Sequence, residues 1–213
     1  MPYAEKEMPR PRSLTADRLA AAALAVIDRI GLAALSMRAV AAELGMATMS
    51  LYRYVDGREH LEGLVVDLVL ADVDLIPPEE SWPRQVTALV ERARAAVGRH
   101  PEVVPLTLTH RHTAPSMLRW SEAVLGILAA AGFVGAARVV ALRGLLAYLI
   151  GSIQLEHRGS LPGAGRTAAL PREHYPLLAE TARHAPGVHP DEAFRRGLLV
   201  MLRGLAAALP PPD

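Results

Sequence analysis

The spacing of apolar residues along the chain predicts helices throughout. In the first segment, which ends at Gly31, apolar residues recur every three or four positions: Leu19, Ala23, Val26, Ile27 and Ile30. This is the period of a helix with one buried face, and Thr15 is placed to cap its N-terminus. No run alternates apolar and polar residues as a half-buried strand does. The pattern therefore predicts an all-α fold.

Two short helices around a tight turn are predicted over residues 36–55. Ser36 is a suitable N-cap for the first, and Gly45 can adopt the left-handed backbone that ends it. Thr48 has the hydroxyl to start the second, in which Leu51 and Val55 face inward. The opposite face carries Thr48, Met49, Tyr52 and Arg53. A short helix with such an outward face suits entry into a DNA major groove.

A fourth helix is expected to connect this region to the rest of the chain. Asp56 and Glu59 have the spacing of a capping box at its start. Its apolar positions are Leu61, Leu64, Val65, Leu68 and Val69. The helix is expected to continue to about Val73, before the prolines at 77 and 78 stop it.

The remaining sequence predicts a bundle, which brings the total to about nine or ten helices. Further helices are expected over residues 81–97, 115–132, 135–159, 171–183 and 190–209, with a short segment over 100–110 and a flexible connection over 160–170. The helix over 135–159 is apolar nearly all round, which is typical of a buried helix. Its longest apolar run, residues 144–155, is shorter than the roughly 18 residues of a membrane span.

Three sequence motifs follow the first helix in a characteristic order. They are S-M-R-A-V-A-A-E-L-G-M at 36–46, L-Y-R-Y-V at 51–55 and D-G-R-E-H-L at 56–61. In these motifs and their order the chain resembles the TetR family of tetracycline-repressor-like transcriptional regulators. The likeness is strong over the first quarter of the chain, and beyond Leu70 only the general architecture is similar.

The resemblance implies a division of the chain into a DNA-binding and a regulatory part. We expect a flexible basic arm over residues 1–14, a helix-turn-helix domain over 15–60, and an effector-binding and dimerisation domain over 61–213. Arg10 and Arg12 give the arm two cations that can lie along phosphates, although a solvated tail is an equally good interpretation. The implied function is a DNA-binding transcriptional regulator of a palindromic operator, most simply a repressor that a small molecule releases.

The family's DNA contacts fall on a defined set of positions. They correspond here to Arg38, Thr48, Met49, Ser50, Tyr52, Arg53, Tyr54 and Arg58. Arg53 can read guanine through a bidentate pair, Met49 can touch a thymine methyl, and Arg38 can reach either a base or a phosphate. The hydroxyls and Arg58 suit phosphate oxygens. For Tyr54, packing against the fourth helix is an alternative role.

A small-molecule effector is implied by the same resemblance, and a helical interior with a few polar groups suits one. The candidate lining residues are Leu106, His110, Met117, Trp120, Ser121, Leu125, Tyr148, Gln154 and His157. Apolar residues at helical spacing are more often plain core, so about half of this set is expected to lie elsewhere.

Paired glycines predict where two subunits meet. Gly144 and Gly151 are seven residues apart on one helix, and Gly197 and Gly204 are seven apart on the last. Because glycine inside a helix costs up to about 1 kcal/mol relative to alanine, a close neighbour is expected to compensate. The predicted homodimer interface is Gly144, Gly151, Gly197, Leu198, Met201, Gly204 and Leu205. Tight packing within one subunit is the alternative.

Composition and charge restrict these interpretations only a little. The chain has no cysteine, which excludes disulfides and thiolate chemistry, and residues 1–12 lack the apolar core of a signal peptide. A cytoplasmic protein that does not enter a membrane is therefore expected. Residues 1–58 hold eight Lys or Arg against six Asp or Glu, so the net charge of +1 is slightly concentrated at the DNA-binding end.

Neither a metal, a cofactor nor a catalytic site is predicted. His100, His110, His112 and His157 could be considered as ligands, but solvated loop histidines are the simpler interpretation, and no carboxylate has a matching spacing. Nucleophile-elbow, phosphate-loop and dinucleotide-binding motifs are missing from the sequence. The protein is therefore not expected to be an enzyme. A helical interaction or architectural protein without an effector is the alternative to a regulator.

Overall fold

The computed structural model describes residues 14–157, 171–207 and 209. Over these residues the chain is all-helical, as predicted, with ten α-helices, short 3-10 turns and no strand. The helices are α1 (Ala16–Ile30), α2 (Met37–Glu43), α3 (Thr48–Leu51), α4 (Arg58–Leu70), α5 (Trp82–Gly98), α6 (Val104–Thr109), α7 (Pro115–Ala130), α8 (Gly135–His157), α9 (Pro176–His184) and α10 (Pro190–Ala207). The predicted arm up to residue 13, the connection over 160–170 and the terminal prolines lie outside the described residues.

Side-chain caps begin α1 and α2 where the sequence placed them. Thr15 Oγ1 accepts a hydrogen bond from the Arg18 amide at 3.3 Å, and Ser36 Oγ accepts one from the Ala39 amide at 3.2 Å. Gly45, just after α2, has φ +66°, the left-handed backbone that glycine adopts without strain. The turn between α2 and α3 therefore follows from local sequence.

The predicted starts of α3 and α4 were wrong in detail. Ala47, not Thr48, is the N-cap of α3, which is a single turn of four residues. At α4 the capping box does not form, because Gly57 is the N-cap, with φ +152°, and has no side chain to accept a bond. The Asp56 amide instead donates to His60 Nδ1 at 3.4 Å. The helix α4 also ends at Leu70, three residues before the predicted end.

Helix α4 belongs to the cores of both parts of the molecule. It packs along α1 on one side and against α5, α6 and α7 on the other. Its Leu61, Val65 and Val66 are fully buried. In its last turn, Asp67 Oδ1 accepts a hydrogen bond from the Ser116 amide at 2.7 Å, which joins α4 to the start of α7. A second link joins α1 to the turn after α5, where His100 Nδ1 lies 2.8 Å from Asp28 Oδ2.

The expectation that α8 is buried was wrong for the single chain. Only 28% of its most apolar 18-residue window is buried, and Val139, Val140 and Leu155 are exposed. With 23 residues and a mean hydropathy of 1.5, it is the one described helix long and apolar enough to cross a membrane. Arg143 and Glu156, which bracket its longest apolar run, do not exclude it from this class. One face of α8 packs on α5, α7 and α10, and the opposite face is open.

Arg94 joins α5, α8 and α10. Its two terminal nitrogens lie 2.8 Å from Glu156 Oε1 and 2.8 Å from Asp191 Oδ1, and its guanidinium carbon is 4.3 Å from the centre of the Phe194 ring. Burial alone would lower the pKa of Arg94, but hydrogen bonds to the two carboxylates more than offset it and raise that pKa. The same hydrogen bond lowers the pKa of Asp191. Arg94 therefore holds the ends of α8 and α10 together.

Candidate DNA-binding surface and effector cavity

The residues predicted to contact DNA form one cluster on α3 and its flanking elements, and most of them are exposed. Leu51 and Val55 are buried beneath it, with 0% and 1% of their surfaces exposed, and fix its position. Met49, by contrast, is 78% exposed, and the side chains of Tyr52 and Tyr54 are also exposed. Arg38 and Arg53 are exposed as well, while Thr48 and Ser50 are partly buried. The surface therefore presents a thioether, aromatic rings, hydroxyls and guanidinium groups on a rigid base.

Arg53 and Tyr54 lie side by side in the turn that follows α3. The Arg53 guanidinium carbon is 5.9 Å from the centre of the Tyr54 ring, a distance at which a cation is attracted to the ring face. No carboxylate pairs with Arg53 among the residues that the structure describes. Tyr54 thus orients the Arg53 guanidinium and leaves its positive charge in place.

Arg58 has protein partners that the sequence analysis missed. Its Nη2 donates to the Leu32 carbonyl at 3.2 Å, which ties the start of α4 to the turn after α1. Its Nε donates to Glu62 Oε1 at 2.7 Å, one turn further along α4. Part of the hydrogen-bonding capacity expected for phosphate is therefore used within the protein.

Glu62 also contacts His110, at the end of α6. Its Oε2 lies 3.4 Å from His110 Nε2, and Glu62 thereby links Arg58 to the corner between α6 and α7. His110 is only 4% exposed, so the expectation of a solvated loop histidine was wrong at this position. Its other ring nitrogen, Nδ1, lies 3.4 Å from the Thr113 hydroxyl oxygen. Arg58, predicted to contact DNA, and His110, predicted to contact the effector, thus both contact the Glu62 carboxylate.

The four histidines considered as metal ligands lie in separate places. His100 pairs with Asp28, His110 with Glu62, and His157 Nε2 lies 2.8 Å from the Gly98 carbonyl oxygen. His112 is exposed on the turn before α7. Over the described residues, no group of three or more histidine, aspartate or glutamate side chains is arranged to hold a metal ion.

A closed apolar cavity lies where α4, α5, α6, α7 and α8 meet. Its volume is about 20 Å³, and it is lined by Leu70, Ala93, Val97, Val104, Thr107, Met117, Trp120, Leu146, Leu149, Ile150 and Ile153. The two polar groups of this lining are already bonded. Thr107 Oγ1 donates to the Val104 carbonyl at 2.7 Å, and Trp120 Nε1 donates to the Leu89 carbonyl at 3.1 Å. The cavity therefore offers a ligand almost only apolar contact.

Two of the nine predicted effector contacts, Met117 and Trp120, line this cavity. Ser121 and Leu125 instead line an open groove on the outside of α7 and α8. The remaining five do not line the cavity: Leu106, His110, Tyr148, Gln154 and His157. Leu106 is core, and the Tyr148 hydroxyl donates to the Phe194 carbonyl at 2.7 Å. Periodicity identified buried faces but not which buried residues border an empty space, because that depends on how five helices converge.

The predicted interface glycines differ in what they face. Gly197 supports the alternative of tight packing within one subunit, because a Cβ there would collide with the Tyr148 hydroxyl. A Cβ at Gly144 would lie 3.8 Å from the Met201 sulfur of the same chain, and Leu198 is fully buried in the subunit core. Gly151 and Gly204, however, have open space where a Cβ would be. Leu205 is partly buried.

Family models match both halves of this architecture. The model for bacterial regulatory proteins of the tetR family matches residues 19–61, and that for the tetracyclin repressor-like C-terminal domain matches residues 76–209. A helix-turn-helix surface joined through a shared helix to a cavity-bearing bundle defines a ligand-responsive class of DNA-binding regulator. The chain belongs to the TetR family of transcriptional regulators.

Named relatives agree with this assignment. An HTH-type transcriptional regulator of Saccharopolyspora erythraea is 31% identical over 95% of this chain and 89% of its own length. The HTH-type transcriptional repressor DrrR1 of Streptomyces coeruleorubidus is 32% identical over 92% of this chain and 78% of its own. The chain is thus a DNA-binding transcriptional regulator, and proteins of this family are generally soluble and non-enzymatic.

Solved structures show the same fold. Apo ActR of Streptomyces coelicolor superposes with a TM-score of 0.78, at 27% identity, over 93% of this chain and 97% of its own. ActR has also been solved in complex with (S)-DNPA, with a TM-score of 0.79, at 27% identity, over 91% of this chain and 98% of its own. The chain therefore shares the fold of ActR.

Proposed function

We propose that this regulator binds a palindromic operator as a homodimer in the cytoplasm and leaves it when an apolar small molecule enters the cavity. The observation that carries the proposal is the arrangement of the two sites. An exposed DNA-facing cluster and a closed cavity are connected by one helix, α4, which contributes Arg58 near the first and Leu70 to the second. A change at the cavity can therefore shift the DNA-binding end.

On DNA, the exposed cluster divides into reading and positioning groups. Arg53, oriented by Tyr54 and without a carboxylate partner in the described part of the chain, is suited to the bidentate contact with guanine. Met49 is exposed and apolar, as contact with a thymine methyl requires. The positioning contacts to phosphates are proposed for Arg38, Thr48, Ser50, Tyr52, Tyr54 and Arg58.

The effector is proposed to act by a shift of populations. The closed cavity has room for about one water molecule, so a larger ligand must favour a conformation in which α4 to α8 have moved apart. In that conformation the distance between the two DNA-binding surfaces of the dimer no longer matches the distance between successive major grooves. Ligand and DNA then each weaken the binding of the other. The complexes of ActR with (S)-DNPA and with actinorhodin support a small organic molecule as the effector class.

The experiment that tests this function is footprinting on the DNA flanking the protein's own gene, with a nonspecific competitor. A protected palindrome that disappears when an effector is added supports the proposal. Protection without sequence preference would favour the alternative, a helical architectural or interaction protein. A protected palindrome that no apolar compound releases would contradict the effector part alone.

The homodimer is proposed to form through the open faces of α8 and α10. Val140 on α8 is 63% exposed and Val200 on α10 is 67% exposed, which is unfavourable unless a partner covers them. Gly151 and Gly204, with open space beside them, allow close approach of another helix. Two helices from each subunit would form a four-helix bundle around a two-fold axis.

Glycine substitutions separate the dimer from packing within the subunit. Gly151→Ala meets nothing within 4 Å among the described residues, so in a monomer it should only raise helix stability, by up to about 1 kcal/mol. In a close-packed dimer it should weaken association, measured by sedimentation over a concentration series. Gly197→Ala is the comparison, because it must displace Tyr148 and should lower subunit stability. A wild-type protein that stays monomeric at micromolar concentration would contradict the dimer.

A further inference from the structure

An open groove lies beside the effector cavity, along one face of α8. The groove has a volume of about 570 Å³ and lies between α8 and the outer side of α7. Leu142 and Leu146, one turn apart on α8, line the groove, and Leu146 lines the cavity as well. Further along the same face, Ile150 and Ile153 line only the cavity. Leu146 is therefore the residue that the two linings share.

This wall can open with little cost to the fold. Leu146 is partly buried, unlike Leu145 and Leu149, which anchor α8 in the core. A change of its rotamer opens a path from the groove to the cavity, and the room for a larger ligand then comes from the separation of α4 to α8 proposed above. The closed cavity of about 20 Å³ admits no drug-sized molecule. A ligand that displaces Leu146 can therefore occupy the groove and the cavity together.

The cavity and the groove differ in the charge of the residues that line them. The cavity is lined by no charged residue, whereas Arg111, Arg119 and Glu122 line the groove, together with His112. Arg111 Nη1 donates to the Leu108 carbonyl at 2.8 Å, and Arg119 Nη2 donates to Ser116 Oγ at 2.8 Å. Neither guanidinium pairs with a carboxylate over residues 14–157 and 171–207. Both keep unused N–H donors and a full positive charge.

We infer that the effector is an amphipathic organic acid, with an apolar body in the cavity and an anionic group in the groove beside Arg111 and Arg119. The inference rests on the proposed function of the cavity as the effector site, and adds the chemical class of the ligand. An anion gains charge-assisted hydrogen bonds there. A neutral apolar molecule leaves the two arginines unused, and a cation is opposed by a net positive groove.

Two fluorescent probes with the same aromatic body test this class. N-phenyl-1-naphthylamine is neutral, and 1-anilinonaphthalene-8-sulfonate adds a sulfonate to it. When the probes are titrated into the full chain, one molecule of the sulfonate should bind per subunit. Its affinity should be about three- to tenfold higher than that of the neutral probe, because partly exposed charged contacts give modest gains. Arg119→Gln and Arg111→Gln should each reduce this advantage without changing the affinity for the neutral probe. Glu122→Gln should increase it.

A matched control removes a positive charge elsewhere. Arg84 on α5 lies outside the groove and pairs with Glu80 at 3.2 Å, so Arg84→Gln should leave both affinities unchanged. Equal affinity for the two probes, or an advantage that Arg84→Gln reduces as much as Arg119→Gln does, would overturn the anion site.

Leu146→Ala tests the wall itself. Removing the side chain joins groove and cavity, so both probes should associate several-fold faster in stopped-flow mixing, while thermal unfolding verifies that the variant is folded. Unchanged association rates in a folded variant would show that ligands do not pass Leu146. All these titrations are made without DNA. They therefore report ligand binding alone, and footprinting with the same probes reports release from the operator. A probe that binds as expected but leaves the footprint unchanged would uphold the ligand class and contradict ligand release.

Discussion

The DNA-binding surface and the effector cavity are built in opposite ways. The surface comes from about twenty consecutive residues and places its functional side chains in solvent, as the 78% exposure of Met49 shows. The cavity is assembled from five helices between Leu70 and Ile153, and its lining is almost entirely buried. Side chains at the surface can thus change with little effect on folding, whereas the cavity lining supports both ligand binding and stability. Substitutions in the two regions should separate these effects.

The largest expected effect is on stability, from truncation of Trp120 in the cavity wall. Trp120 is 2% exposed, and Trp120→Ala removes its packing and its hydrogen bond to the Leu89 carbonyl. Loss of a large buried aromatic side chain costs about 3–5 kcal/mol. The free energy of unfolding in urea, at fixed protein concentration, measures it. Met49→Ala is the control and should change stability by no more than about 0.5 kcal/mol. Similar effects of the two substitutions would contradict the comparison.

The second expected effect is on DNA binding alone, from Arg53. Arg53→Ala should cost about 1–3 kcal/mol of operator affinity and relax the preference at one base pair, with unfolding unchanged. Arg53→Lys separates the two possible roles, since lysine replaces a phosphate contact but not the bidentate contact with guanine. Affinity and base preference are measured by titration of operator variants at fixed salt. Full recovery by lysine would assign Arg53 to the DNA backbone.

Glu62 is the place where the two regions meet, so its removal should change both properties. Glu62→Ala leaves His110 buried without this partner and removes the carboxylate that pairs with the Arg58 side chain. The free energy of unfolding should fall by about 1–3 kcal/mol. Operator affinity should fall as well, because the Arg58 contact to the Leu32 carbonyl then loses its support. Glu59→Ala is the matched control, one turn earlier on α4 and exposed. A change in stability without a change in operator affinity would show that the contact does not link the regions.

The contrast also explains what sequence could predict. Caps at Thr15 and Ser36, the turn at Gly45 and the inward positions of Leu51 and Val55 depend on neighbours within a few residues, and all were predicted correctly. The helical class and the family followed from the same local patterns. The DNA contacts and domain boundaries stay predictions.

What sequence could not predict depends on distant residues. Only Met117 and Trp120 of the expected ligand contacts line the cavity, since an empty space is what several helices leave between them. The Glu62 contact to His110 joins residues 48 apart, and no local pattern indicates it. The open face of α8 was missed because an apolar helix can be covered by its own chain or by another.

The smallest expected effect is a pH dependence far from both regions, at the pair of Asp191 and Arg94. Because its hydrogen bond with Arg94 lowers the pKa of Asp191 in the folded state, the folded protein binds this proton less tightly than the unfolded chain does. The stabilisation is therefore complete at a pH well above the ordinary aspartate pKa of about 3.9, and it is lost as the pH falls through the lowered pKa of the folded state. Asp191→Asn should lower the melting temperature slightly at neutral pH and by progressively less in acid. Asp72→Asn, at an exposed aspartate, is the control, and a pH-independent difference at Asp191 would show that its charge contributes nothing.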